Sequence, residues 1–531
     1  MKTLIKNGYI VDGSGSNGFS GCVVITEDRI DYVGEQRREI TDGSFDKVID
    51  AKGCVVSPGF IDTHSHSDLK LLEEPYQAPK ILQGITTEVL GQDGISMAPL
   101  PKKYVGDWKK NLAGLDGESN SISWDYPTVD SYLLQLEQAG ICTNAAYLIP
   151  HGNVRMEAMG LDDRKATAAE IEKMKQIVRR DMQSGALGLS SGLIYIPCTY
   201  GDKDEIAELC KVVAEFDGVF VVHQRSEAEL ILPSMDEIFY IARKSGVKIH
   251  FSHFKACGKK TWALVPQIIE KLDQAKKEGI KLSFDQYPYV AGSTTLSVVM
   301  PPWVQSGGVG RMLELLSDEK TLEKVEKEIL SQNCDWDNFF EFAGPENIYI
   351  TYVGSEKNQQ LIGKSISEIA DMWGISPVRT AAKLLVDEQG AVSMVDFYGT
   401  EEHVKLFLSR PEQNVCTDGL LSGMPHPRVY GAFARVLGKY VREENVLTLE
   451  QAVHKMTGKS AQAMSIKDRG LLKKGYYADI VIFDENTVID KGDYKNPRQH
   501  PDGIELVMVN GQAVFENGEQ RIVKCGKIIR K

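Results

Sequence analysis

Two histidines stand at i and i+2 in the stretch Pro58-Gly-Phe-Ile-Asp-Thr-His-Ser-His66, at the end of a short apolar run. In an extended strand, that spacing puts both rings on one face. Neutral imidazole is a strong ligand for zinc-like divalent ions, and two at a strand end leave positions open for water and substrate. The chemistry this suggests is hydrolysis. A lone His-x-His is equally compatible with two polar loop residues, so its meaning rests on the elements that carry it.

Those elements repeat. Six times a helical pattern ends in a glycine followed at once by an apolar run, at Gly84, Gly140, Gly185, Gly218, Gly246 and Gly279. Glycine is the usual left-handed residue that closes a helix. Ile206, Leu209, Val213 and Phe216 fall on one helical face. Alternating helix and strand implies parallel strands with crossover helices, in an open doubly wound sheet or a closed barrel. With Ser57–Asp62 before the series and Gln413–Thr417 after it the strands number eight, which favours a TIM-like (β/α)8 barrel.

In such barrels, chemistry sits at the carboxyl ends of the strands. His64, His66, Asp93, His151, His223, His253, Asp285 with Tyr287, and Asp418 all fall at or just beyond the end of a predicted strand, and would converge on one mouth. His403, His454 and His500 fall elsewhere and read as surface or packing residues. The ends of the chain differ from the middle: residues 1–57 and 465–531 read as β-structure, with a hairpin signal at Asn510-Gly511. They are expected to form one small β-sandwich domain beside a barrel of residues 58–464. A stretch at about 291–345, with Pro301-Pro302-Trp303 and Gly307-Gly308, breaks the rhythm and reads as an insertion near the barrel mouth, with the character of a lid.

Composition sets the bounds. The 531 residues suffice for a large core, and 42% hydrophobic with 25% charged is ordinary globular usage. A net charge of −13, with no Lys/Arg block, argues against a nucleic-acid partner. Nine scattered cysteines without a Cys-x-x-Cys pair fit a reducing compartment. No apolar stretch of membrane-spanning length and no leader pattern occur, so a cytoplasmic protein acting on a small molecule is expected.

The chain resembles the D-aminoacylase (N-acyl-D-amino-acid deacylase) family of the amidohydrolase superfamily over nearly its whole length. The carrying stretches are Pro58 to His66, Gly185-Ala-Leu-Gly-Leu-Ser-Ser-Gly-Leu193, His223-x-Arg-x-Glu227, Ser252-His-Phe-Lys255, Asp285-Gln-Tyr-Pro-Tyr289, Thr417-Asp-Gly419, His426-Pro-Arg-Val-Tyr-Gly431, Asp468-Arg-Gly470 and Ala478-Asp-Ile-Val-Ile-Phe-Asp484. The resemblance implies a metal-containing barrel flanked by a small β-sandwich. It makes His223 and His253 zinc ligands, with His64 and His66 lining a second position. Lys255, Tyr287, Ser293 and Arg428 would hold the substrate carboxylate and the acyl carbonyl. One departure stands out: where the family carries cysteine in a Gly-Asn-Cys-Gly turn, this chain reads Gly91-Gln92-Asp93-Gly94. A carboxylate can ligate or bridge and is harder than thiolate, so one or two ions are expected, zinc or another divalent metal.

The implied reaction splits an N-acyl-D-amino acid into a carboxylate and a free D-amino acid. Asp418, after the last strand, suits the general base and acid; its structural alternative is a helix N-cap. Arginine at 428 suits a carboxylate because its planar fork can bind both oxygens. His151 fits the family's Gly-His motif only in part, because Pro150 precedes it. Other readings are a cyclic-amide hydrolase of the hydantoinase or dihydroorotase kind, a dipeptidase, and a non-catalytic scaffold. Cyclic-amide hydrolases usually use a carboxylated lysine that the fourth-strand stretch lacks, and a scaffold would be expected to have lost ligands. Acyl and side-chain preference and oligomeric state stay open, with residues near Cys257 and on the insertion placed to set the preference.

Overall fold

The computed structural model describes residues 1–531 apart from 38, 39, 120, 332 and 333. Eight parallel strands form its centre: β1 Phe60–Asp62, β2 Ile85–Leu90, β3 Asn144–Pro150, β4 Gly188–Gly192, β5 Val219–His223, β6 Lys248–Phe251, β7 Leu282–Gln286 and β8 Gln413–Val415. Each pairs with the next in chain order, from β1 to β8. Closure between β8 and β1 comes just past the strand ends, where Ser65 bridges Gly419 in parallel and the Asp418 N–H donates to the His64 carbonyl at 2.9 Å.

The period of two along a strand separates the two layers of the core. In β5, Val219 and Val221 join Ile61, Val89, Ala146 and Leu148 of the other strands, whereas Phe220 and Val222 join the helix-facing core. Both faces are covered, which is why Val219-Phe-Val-Val222 is uniformly apolar. The helix Lys203–Glu215 packs Ile206, Leu209 and Val213 against it. Met464 and Ile466 complete the interior cluster.

Two details differ from expectation. The segment Ser57–Asp62 is not one barrel strand: Val55–Pro58 pairs antiparallel with Ile480–Phe483, and the barrel strand starts at Phe60. Gly59 separates them, and a β-carbon there would lie 2.2 Å from Thr86 Oγ1. At the fifth turn, Asp217 takes the left-handed conformation (φ 52°) and Gly218 is kept for space, since its β-carbon would lie 2.6 Å from Val213 Cγ1.

Both termini enter one mixed sheet of nine strands. Lys2–Ile10 pairs antiparallel with Phe19–Thr26 but parallel with Lys47–Asp50 and Val55–Pro58, while Ile504–Val509 and Gln512–Glu516 form the hairpin around Asn510 and Gly511. Both turn residues have positive φ, 48° and 78°, as such a turn requires. Between β7 and β8 lie the antiparallel strands Ala291–Thr295, Ile348–Val353 and Val392–Phe397, with helices including Val309–Ser317 and Glu319–Ile329. Among the described residues, no helix is long and apolar enough to cross a membrane.

Candidate metal centre and substrate pocket

The carboxyl ends of the strands deliver six side chains to one buried point. His64 and His66 follow β1, Asp93 follows β2, His223 ends β5, His253 follows β6 and Asp418 follows β8. They form two groups that could each hold an ion: His64, His66, Asp93 and Asp418 in one, and Asp93, His223 and His253 in the other. Asp93 belongs to both. Its Oδ2 lies 3.5 Å from both His64 Nε2 and His66 Nε2, and its Oδ1 lies 3.7 Å from His253 Nε2. One oxygen thus faces each group, the disposition of a bridging carboxylate.

Within the groups, His64 Nε2 and His66 Nε2 are 3.3 Å apart, and Asp418 Oδ1 lies 3.6 and 3.3 Å from them. His223 Nδ1 is 2.9 Å from His253 Nε2. Burial alone would push the Asp93 carboxyl up, but the imidazoles of His64, His253 and His66 hold it well below the usual carboxylate range. Burial pushes His223 down to about 4, while Glu227, Asp418 and Asp93 bring His253 up to about 9 against burial and Lys255. Asp93 Oδ1 and His64 Nδ1 are buried without any hydrogen-bond partner. Lone-pair donors crowded together with orphaned atoms fit a divalent cation, and the nitrogen and carboxylate donor set suits zinc.

Asp93, His253 and Asp418 all adopt left-handed backbone conformations, with φ of 54°, 35° and 47°. Outside glycine, such conformations cluster at functional sites. Aspartate tolerates this region better than most residues, which suits the Gly91-Gln-Asp-Gly94 turn.

A second layer fixes the ligands. Asp285 is drawn in beneath them: its Oδ1 accepts from the His253 N–H at 2.5 Å, and its Oδ2 accepts from Thr63 Oγ1 at 3.1 Å and lies 2.9 Å from His250 Nε2. His250 and His64 hold its pKa near 2 although burial opposes this. Lys80, with no exposure, donates to Asp62 Oδ2, Ser65 Oγ and Thr417 Oγ1 at 2.7, 2.9 and 2.6 Å. His151 joins neither metal group. It starts the helix His151–Met159 and bonds Ser191 Oγ and Glu205 Oε1, each at 2.9 Å, and Arg155 also pairs with Glu205.

Over the centre lies a pocket lined by His66, Asp93, Lys255, Tyr287, Asp396 and Arg428. Arg428, 1% exposed, forms an ion pair through Nη1 with Asp418 Oδ2 at 2.9 Å and donates from Nη2 to the Ser293 carbonyl at 3.1 Å. Its guanidinium sits 4.3 Å over the Tyr287 ring, and its Nε is buried without an acceptor. Lys255 Nζ donates to both oxygens of Glu227, at 2.7 and 2.6 Å, and lies 2.7 Å from His253 Nδ1. Glu227 is thereby held near 2, mainly by Lys255 against its burial. Tyr398 Oη bonds Tyr287 Oη at 2.9 Å.

The structure brings together the residues expected at the site; His151, expected at the barrel mouth only in a supporting or structural place, lies outside both groups. Sequence reasoning did not give roles to Glu227, Lys80, His250 or Asp396. Glu227 had a signal, four residues past His223 in His-x-Arg-x-Glu. Lys80 had none, since a lysine in the short helix Ala78–Ile81 reads as surface.

Fold and site have the constitution of the metal-dependent barrel hydrolases. The chain belongs to the amidohydrolase family, whose pattern matches residues 47–325 and 372–515. It is 31% identical to an N-acyl-D-glutamate deacylase of Alcaligenes xylosoxydans xylosoxydans over 100% of this chain and 97% of that protein. The crystal structure of N-acyl-D-glutamate deacylase from Bordetella bronchiseptica, complexed with zinc and a phosphonate mimic of the tetrahedral intermediate, superposes with TM-score 0.83 at 30% identity, covering 100% of this chain and 99% of that one. A D-aminoacylase structure concerned with the functional role of its binuclear metal centre matches with TM-score 0.83 at 31% identity and the same coverage.

Proposed function

We propose that this chain is a metal-dependent hydrolase that cleaves N-acyl-D-amino acids to a carboxylate and a free D-amino acid. The observation that carries the reading is Asp93, which presents one oxygen to each of two buried ligand groups at the mouth of the barrel. His223 and His253 with Asp93 would hold one ion; His64, His66 and Asp418 with the same Asp93 would hold a second. A divalent ion bound there supplies Lewis acidity, lowering the pKa of water and polarising a carbonyl.

The side chains do the rest. Asp418 Oδ1 accepts the proton of the attacking water and passes it to the departing nitrogen as the C–N bond breaks. Arg428, through its free Nε, and Lys255 beside Tyr287 anchor the substrate carboxylate. The Ser293 segment, tied to Arg428, lines the same wall. Asp418 and Arg428 are buried, which strengthens each of these interactions. β4, Gly188–Gly192, carries no lysine, which leaves the bridging place to Asp93 rather than to a carboxylated lysine. Nine unpaired cysteines suit a cytoplasmic setting.

The test is release of free amine from N-acetyl-D-amino acids and their L enantiomers, with zinc present. Turnover confined to the D series supports the reading. Silence across the panel from folded, zinc-loaded protein, together with turnover of cyclic amides or dipeptides, would overturn it.

A further inference from the structure

Each cation lining the pocket already has a carboxylate of the protein: Lys255 has Glu227, and Arg428 has Asp418. A substrate with an acidic side chain would bring a second carboxylate into this space with no free cation to receive it. The pocket holds the reverse. Asp396, on the strand Val392–Phe397 between β7 and β8, lines it at 3% exposure. Among the described residues, no side chain donates to its carboxylate; it takes a hydrogen bond from its own backbone N–H, and Lys255 and Arg428 act on it only through longer-range attraction. A buried carboxylate that lines a cavity with no charged partner is costly, and such a group is kept where a ligand completes it.

The local build keeps this carboxylate open. Gly292 is the cross-strand partner of Asp396, and a β-carbon on it would lie 3.0 Å from Asp396 Oδ1 and 3.2 Å from Tyr398 Cε1. Any larger residue would cover the oxygen. Asp396 also shares a wall with the carboxylate anchors, since Arg428 stacks on Tyr287, Tyr287 bonds Tyr398, and Tyr398 lines the space at Gly292 beside Asp396. A substrate whose α-carboxylate meets Arg428 can run its side chain along that wall. Burial pushes the Asp396 carboxyl up to about 7, with only partial relief from Lys255 and Arg428, so a cation placed against it has much to stabilise.

We propose that Asp396 selects substrates whose D-amino-acid side chain ends in a cationic hydrogen-bond donor, the class of N-acyl-D-lysine and N-acyl-D-arginine. This rests on the deacylase reading above and names its side-chain specificity. It sets this chain apart from the relative named for D-glutamate.

The experiment compares zinc-loaded wild type, Asp396→Asn and Asp396→Leu on N-acetyl-D-lysine, N-acetyl-D-norleucine and N-acetyl-D-glutamate, with calorimetry of free D-lysine and D-norleucine. Wild type is expected to favour the lysine compound over norleucine by about 10- to 100-fold in kcat/KM, the range of one hydrogen bond to a charged group. Asp396→Asn should remove most of that ratio while turnover of norleucine persists, which also reports an intact fold. Asp396→Leu should reverse it. Equal or inverted preference in wild type, a lysine preference unchanged in Asp396→Asn, or preference for glutamate each overturns the proposal while leaving the deacylase reading standing. Absence of turnover on every D compound sinks that reading instead, and calorimetry then decides the specificity alone: D-lysine must bind more tightly than D-norleucine, and only while Asp396 is present.

Discussion

Lys80→Met should destabilise the protein by about 3–5 kcal/mol, the cost of removing one partner from a buried ion pair. Lys80 Nζ lies 2.7 Å from Asp62 Oδ2 and 3.8 Å from Glu88 Oε2, and all three side chains have no exposure. Thr417 Oγ1 and N–H can still donate to Asp62, at 2.6 and 2.8 Å, and Ser65 and Ser67 to Glu88, at 2.8 and 2.6 Å. Those neutral donors satisfy geometry but not charge, so two carboxylates would remain in one dry site. The escape is to protonate one of them. For a carboxyl of ordinary pKa at pH 7 that costs about 4 kcal/mol, which bounds the loss at a similar figure. In the variant the folded state would bind a proton that the unfolded chain does not, so the deficit should grow as pH rises from about 5 to 8. The assay is urea unfolding followed by tryptophan fluorescence at fixed zinc concentration, at pH 5 and pH 8, with Lys80→Met/Asp62→Asn beside the single variant. A midpoint within about 0.5 kcal/mol of wild type at pH 8, the scale of an ordinary surface change, would refute the reasoning. So would a deficit that does not depend on pH, or a double variant no better than the single one.

Asp93→Ala removes the one side chain common to both ligand groups, so zinc per chain, measured by mass spectrometry after dialysis, should fall more than in His64→Ala; equal losses would deny Asp93 its bridging place. Asp418→Asn should lower kcat by about 10²–10⁴, the usual worth of a positioned acid-base group, with zinc at the His223 and His253 group retained; near-normal turnover removes Asp418 from proton transfer. Arg428→Met should raise KM strongly for an N-acetyl-D-amino acid while circular dichroism is unchanged, and an unaltered KM would place the substrate carboxylate elsewhere. Lys455, 6% exposed, donates to the carbonyls of Arg410 and Gln413, and burial, aided by Lys459, pushes its pKa down to about 7. Its unfolded form binds a proton that the folded form gives up between about pH 7 and 10.5, so stability should rise over that window with a limiting slope of about 1.4 kcal/mol per pH unit. Lys455→Met should flatten that rise, and an unchanged slope in its urea midpoints would show that Lys455 is not its source.

The convergence of the candidate ligands was legible before the structure because a parallel barrel ties chemistry to chain position. Once six helix-to-strand transitions and the two flanking strands are found, each strand end is known to within a residue or two, and polar residues there must face one mouth. That rule placed His64, His66, Asp93, His223, His253 and Asp418 at the mouth, together with His151, Asp285 and Tyr287, without any knowledge of side-chain direction, and the family resemblance then implied which of them are ligands. What the rule does not reach is charge pairing. Lys255 and Arg428 read as free cations for a substrate, and only distances show that Glu227 and Asp418 already hold them. Lys80 reads as a helix-surface residue, because the helix that carries it is four residues long and its burial comes from the return of the chain after β8, more than three hundred residues later. Asp396 is harder still. Its strand, Val392–Phe397, is flanked by apolar residues and has no motif, and it meets the pocket only because the insertion folds Ala291–Thr295 back beside it. The ends of barrel strands are thus written locally, in glycines and periodicity. The partners that tune the groups there are set by contacts between distant segments, and in this chain they include Glu227 against Lys255 and Asp418 against Arg428.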